Sequence, residues 1–296
     1  MQLKTILRTT RPAFLVLAPV CVLLGLACAL TAQSTVSVSL LVVILLGALL
    51  AHVSVNTLNE YHDFTSGLDL KTRKTAFSGG SGALPGHPHV VRAVLFVGLL
   101  SLALTAGIGL YLLSQRTPQL LPLGLTGLVL IATYTRWLNR WPLVCLVAPG
   151  LGFGVLMVVG TQVVLTGTYA PLSWLVSLVP FFLVNNLLLL NQYPDIEADA
   201  SVGRRHFPIV FGVRASNIVY AVFALAAYAV VLYLAVDGYI SRLGLIALIP
   251  LVFSLFTLTG AVKHMSRIGE HAQYLAANVA AAILTPMLLA LAMLYG

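Results

Sequence analysis

Charge is scarce in this sequence. Only 8% of its 296 residues are Asp, Glu, Lys or Arg, against roughly 25% in an ordinary soluble domain, while 59% are hydrophobic. Mean hydropathy is +1.00. Acidic residues number eight against sixteen basic ones. Cysteine is equally sparse: Cys21, Cys28 and Cys145 all fall in apolar runs without metal-ligand spacing, which argues against a disulfide framework and favours small packing residues. No polar stretch is long enough for a soluble domain or linker, so the whole chain, 1–296, reads as one integral-membrane domain.

What is present in quantity is long apolar runs. A hydrocarbon layer of ~30 Å takes ~20 helical residues to cross. Nine runs qualify, at about 12–32, 37–60, 88–113, 118–136, 142–166, 171–193, 215–236, 241–262 and 272–295. The first has a basic flank, but it is too long for a signal-peptide core and "CALTAQ" is a poor cleavage site, so it counts as a helix. The expected fold is all-α, a single bundle of nine transmembrane helices enclosing a central cavity open to the cytoplasmic side. Lys and Arg in short loops stay in the cytoplasm. An inside N-terminus leaves only Arg116 and Arg242 on the far side, with every other basic residue facing inward. That predicts a cell (inner) membrane protein whose net charge of +8 meets the anionic headgroups of the lipid bilayer; it needs no nucleic acid partner.

Six of the eight acids lie in two short stretches, "LNEYHDFTSGLD" at 58–69 and "NQYPDIEADASVGRRH" at 191–206. Both follow even-numbered helices and so face the same water. Residues four apart share a helical face. Asn59 with Asp63, and Asn191 with Asp195 and Asp199, therefore form an N-x-x-x-D pattern in each half, 132 positions apart, as a parallel repeat would give. Asp69 would point elsewhere on a straight helix, but Gly67 offers a break that curls it back. Pro194 lacks an amide hydrogen and should kink or end the sixth helix before Asp195.

Carboxylates and amides facing each other beside bases suit Mg²⁺, which takes one or two carboxylates plus phosphate oxygens. The bases that follow each cluster, in "LKTRK" and "GRRH", would meet remaining phosphate charge. At helix ends, a lipid diphosphate fits better than a soluble one, because its tail stays in the bilayer. The plainer reading of acids at helix ends is solvated caps.

At these residues the sequence resembles the UbiA superfamily of intramembrane prenyltransferases, which carries two Asp-rich motifs at the cytoplasmic ends of helices two and six of a nine-helix bundle. The spacing in "DFTSGLD" is similar to the branch that prenylates 1,4-dihydroxy-2-naphthoate, of menaquinone type. So are "FSGGSGALPG" at 77–86, "GLGFGVLMVVGTQVVLTG" at 150–167 and "DIEADASVGRRHFPIVFG" at 195–212. The resemblance implies a Mg²⁺-dependent transfer of a polyprenyl group from a prenyl diphosphate to an aromatic quinone precursor. It implies metal binding by Asp63, Asp69, Asp195 and Asp199, substrate contacts from Asn59, Asn191, Arg73, Lys74, Arg204 and Arg205, and catalytic roles for Asp63, Asp195 and Tyr134. Tyr134 with Arg136 or Arg140 is a candidate for shielding an allylic cation or holding a carboxylated acceptor.

The sequence also departs from the family pattern. Glu60 stands where the first motif usually has Asp, keeping the charge on a longer arm. After Tyr134 and Thr135, "RWLNRWPL" replaces the Pro-Pro and Lys of the naphthoate branch, and His206 and Pro208 are unexpected. Another acceptor, 4-hydroxybenzoate-like or outside quinone synthesis, is the alternative; a transporter is the alternative of another class, since membrane carboxylates often line ion paths. "SGGSG" reads as a lid or a plain turn. Gly150 and Gly154 read as helix packing. His52 reads as facing a cavity or a partner, His62 as a helix-end polar residue, and His206 as interfacial. Arg136 and Arg140 read equally as membrane anchors, and Tyr134 as a belt aromatic.

Overall fold

The computed structural model describes residues 2–33, 35–75 and 77–296. Thirteen α-helices follow in order: α1 (Gln2–Thr9), α2 (Leu17–Ala32), α3 (Val38–Thr65), α4 (Ala83–Gly86), α5 (Val91–Gln115), α6 (Leu120–Thr133), α7 (Pro142–Gly150), α8 (Met157–Thr166), α9 (Pro171–Asn191), α10 (Ile196–Ser201), α11 (Phe207–Val236), α12 (Leu251–His264) and α13 (Ala272–Tyr295). Among the described residues there is no strand. A chain this apolar meets lipid over much of its surface, and the helix satisfies its own backbone donors and acceptors there.

Seven helical segments are long and apolar enough to cross a membrane: Val38–Thr65, Pro88–Gln115, Pro142–Thr166, Pro171–Asn191, Phe207–Val236, Arg242–Glu270 and Ala272–Tyr295. An eighth arises if Gln2–Phe14 and Leu17–Ala32, bent by 44°, count as one crossing. The fourth expected span is shorter than its apolar run suggests, with 14 helical residues in Leu120–Thr133. The seventh begins eight residues early, at Phe207, because Pro208 sits in the first turn, where its missing N–H costs nothing; the break falls at Gly212, with φ 79° and ψ 165°. The protein is an integral membrane protein.

Helix α2 divides the core. Leu17, Cys21, Leu24 and Cys28 pack with α9, α11 and α13, while Val22 and Ala29 pack with α3, α5 and α8. Between Pro142 and Thr166 the span is continuous but not uniform, since Leu151–Leu156 is a π-helical stretch joining α7 to α8. Here α7 and the π stretch press on α9. A Cβ on Gly150 would lie 2.2 Å from the Phe181 carbonyl oxygen, and one on Gly154 would lie 2.5 Å from the Phe181 nitrogen. The G-x-x-x-G pair is thus a packing device, as its spacing suggested.

Candidate active site

One face of α3 builds a wall. Ile44, Gly47, Ala48, Ala51, His52, Val55, Asn56, Asn59 and Asp63 recur at helical spacing along a cavity of about 580 Å³. From Ile44 to Asp63 the rise is about 28 Å, so the cavity runs most of the thickness of a bilayer. Its deep end is apolar, closed by Ile44, Leu112, Leu120 and Val164; its other end is acidic.

The acidic end joins the two halves of the chain. Asn59 and Asp63 occupy the last turns of α3. Beyond them Gly67 adopts φ 77°, a left-handed turn that brings Asp69 onto the same wall. Helix α9 ends at Asn191, and α10 starts afresh after Pro194 with Asp195 at its cap. Asn59, Asp63, Asp69, Asn191, Asp195, Asp199, Tyr134 and Arg204 all line this one cavity.

Arg204 holds the acids together. Its Nη1 donates to Asp199 Oδ1 at 2.9 Å, and its Nη2 donates to Asp63 in a buried ion pair. Asp199 Oδ2 lies 2.8 Å from His206 Nε2. Asp195 Oδ2 accepts from the Gly79 amide at 3.0 Å. Asn59 is held by Arg11 at its oxygen, 2.9 Å away, and donates to Thr135 Oγ1 at 3.2 Å. Burial pushes the Asp69 carboxyl up to about 7, with Asp63 and Glu60 adding to it. Burial likewise raises Asp195 to about 7, helped by Asp199.

The other expected ligands stand elsewhere. Arg73 is exposed and pairs with Glu270 at 3.7 Å, and Lys74 donates to the Ser81 carbonyl; neither lines the cavity. Arg136 lies over the Trp137 ring, 5.3 Å from its centroid. Arg136, Arg140 and Arg205 are exposed and also absent from the cavity wall. Five of the six bases expected at the site therefore point to solvent or to the interface, where a charged tip escapes desolvation. His206 is not interfacial but 2% exposed, because Asp199 gives it a buried partner. His52 is buried on the cavity wall, edge-on to Phe153 at 4.6 Å, as a polar residue facing a cavity should be. Cys145 is buried but not merely packing, since Gln192 Nε2 approaches its sulfur at 3.7 Å and both side chains line the cavity.

Among the described residues no three His, Cys, Asp or Glu side chains converge as a finished ion cage. The donor set nevertheless suits a divalent cation that shares its shell with phosphate. Asp69 Oδ2, Asp195 Oδ1 and Asn191 Oδ1 are buried hard oxygens without a hydrogen-bond partner, and such groups call for a ligand.

The profile of the UbiA prenyltransferase family matches residues 18–280. The chain is 29% identical over 236 residues to a 1,4-dihydroxy-2-naphthoate octaprenyltransferase of Bacillus subtilis (strain 168), a match that covers 77% of this chain and 73% of that one. A UbiA homolog from Archaeoglobus fulgidus, solved bound to DMAPP and Mg²⁺, superposes with a TM-score of 0.60 at 17% identity, over 94% of this chain and 99% of that one. An apo UbiA homolog from Aeropyrum pernix K1 gives a TM-score of 0.65 at 16% identity, over 96% of each chain.

Proposed function

Since this chain belongs to the UbiA prenyltransferase family, we propose that it moves a polyprenyl group from a prenyl diphosphate to an aromatic quinone precursor, 1,4-dihydroxy-2-naphthoate or a close relative. The observation that carries this reading is the joining of two acidic segments, encoded more than a hundred residues apart, at the mouth of one long apolar cavity. The cavity's depth suits an isoprenoid tail and its mouth a diphosphate. The naphthoate acceptor rests on the relative in Bacillus subtilis, which acts on that compound by name, and on the spacing from Asp63 to Asp69.

In this reading Asp63, Asp69, Asp195 and Asp199, with Asn59 and Asn191, hold Mg²⁺. The ion supplies Lewis-acid stabilisation of the departing diphosphate. Arg204 donates to diphosphate oxygens from a site where low polarity strengthens each such contact. The allylic carbon–oxygen bond breaks, the electron pair leaves with the diphosphate, and a ring carbon of the acceptor bonds to the allylic carbon as it sheds its own substituent. The Tyr134 ring faces the cavity beside the acids and shields the allylic cation, while the apolar bore keeps water from quenching it. Arg73, Lys74, Arg136, Arg140 and Arg205 are left to the membrane surface and to substrate arrival.

The chain as one domain would cross the cell membrane nine times, with the bent N-terminal pair and α6 completing the count. The N-terminus and the acidic mouth would lie on the cytoplasmic side, where the basic loops gather. The decisive experiment incubates the purified protein with Mg²⁺, a radiolabelled polyprenyl diphosphate and a panel of naphthoate and benzoate acceptors. A prenylated naphthoate is the expected product. Absence of any product across the panel overturns the reading.

A further inference from the structure

Glu60 lies one residue from Asn59 and three from Asp63, yet its carboxylate is spent on something other than a cation. It is fully buried. Oε1 accepts from Arg11 Nε at 2.9 Å, Arg11 Nη2 at 2.8 Å and the Ser81 amide at 2.7 Å, and Oε2 accepts from the Ser81 hydroxyl. An ionised carboxylate offers about four acceptor positions, and four donors fill them. Asp69 and Asp195, by contrast, each keep a buried oxygen without a partner.

The donors tell what Glu60 holds. Ser81 belongs to the glycine-rich loop 78–82, whose other attachment is the Gly79 amide on Asp195 Oδ2 at 3.0 Å. Arg8 and Lys74 also donate to the Ser81 carbonyl. Between the two tethers Gly80 has φ 68°, and a Cβ there would sit 3.2 Å from Glu60 Oε1 and 3.3 Å from Asp69 Oδ1, so the loop lies directly on the acids. Arg11 reaches Glu60 from a left-handed conformation, φ 52° and ψ 63°, which a non-glycine residue holds only where its surroundings enforce it.

We infer that Glu60 is a positioning residue rather than a metal ligand: with Arg11 it anchors loop 78–82, and the loop's Gly79 amide fixes the carboxylate of Asp195 so that its free oxygen faces the cavity. The inference rests on the prenyl-transfer reading for what Asp195 does, and the tether itself can be measured without activity. The first measurement is hydrogen exchange of the peptide covering loop 78–82. The second is the number of Mn²⁺ ions bound at saturation with geranyl diphosphate present, read by electron paramagnetic resonance.

Glu60→Gln speeds exchange at Gly79 and Ser81 about tenfold, and Ser81→Ala about threefold, each by loss of a charge-assisted bond. Glu60→Asp behaves like Glu60→Gln, because an arm one methylene shorter cannot reach both Arg11 and Ser81. In all three the number of Mn²⁺ ions at saturation equals that of the wild type, and the KM for the diphosphate rises more than kcat falls. Loss of a bound ion in Glu60→Gln, or rescue of ordinary exchange by Glu60→Asp, overturns the inference. If Glu60→Gln does not fold, unchanged loop exchange in Ser81→Ala overturns it as well. A wild type that binds no Mn²⁺ with the diphosphate defeats the prenyl-transfer reading instead, while the exchange rates still decide the tether.

Discussion

Arg204 and Asp63 form a buried ion pair although 141 positions separate them in the chain. With Asp199 on its other nitrogen, Arg204 is the cation that lets carboxylates from the two halves share one cavity mouth. Arg204→Gln removes that charge and leaves Asp63 and Asp199 facing each other. Transfer should fall by about 10²–10³, and the Tm should fall too, because breaking a buried pair strands its partners. Arg204→Lys should not rescue, since one ammonium cannot reproduce a planar two-armed contact. Steady-state kinetics and thermal scans of both variants check this.

Asp63→Asn and Asp195→Asn should abolish turnover and leave folding nearly intact. Arg204 keeps Asp199 as a partner in the first case, and in the second the new side-chain amide oxygen can still accept from the Gly79 N–H. Near-normal prenyl transfer in either variant would contradict their assignment to the metal.

Cation affinity should depend on pH in a definite direction. Burial holds the Asp69 and Asp195 carboxyls at about 7, and an ion binds only after both protons leave. Apparent Mg²⁺ affinity should therefore climb from about pH 6 to about pH 8 and then level off. In metal-free buffer the effect on stability has the opposite sign: a carboxyl with a folded pKa above its ordinary value of about 3.9 favours the fold when protonated, and that contribution fades as pH rises towards 7. Added Mg²⁺ should raise Tm more at pH 8 than at pH 6. Calorimetric titration and thermal scans at the two values measure both trends.

Gly154→Val should destabilise the protein by about 1–3 kcal/mol, the usual cost of forcing atoms into a packed contact. The Cβ position already lies within 2.7 Å of both Phe181 N and Phe181 Cα. The same change at Gly107, where a Cβ meets nothing within 4 Å, is the control. Equal Tm values for the two variants would disprove the packing role.

Much of the site was legible because it follows from local rules. Helical spacing put Asn59 and Asp63 on one face, Gly67 predicted the turn that returns Asp69, and Pro194 predicted the end of α9. What remained hidden depends on partners distant in sequence. Arg11 looks like any basic residue flanking a membrane span, and only the fold shows it reaching Glu60 from 49 positions away. The burial of His206 follows from Asp199 turning towards it, which no periodicity announces. The bases near the motifs misled for the converse reason: a long charged side chain beside a membrane more easily finds water than a cavity, and five of the six did so.

The π-helical stretch Leu151–Leu156 sets the phase of everything after it. Phe153 meets His52 on α3, Gly154 meets α9, and Val158 and Thr161 meet Gly25 on α2, so one rod serves three neighbours in succession. Deleting a single residue from the stretch would turn Met157–Thr166 by about 100° and draw it up by about 1.5 Å. Thr161 would then swing away from Gly25, and side chains now facing neighbours or lipid would enter the bore. This segment should accept exchange of one apolar residue for another far more readily than any change in its length.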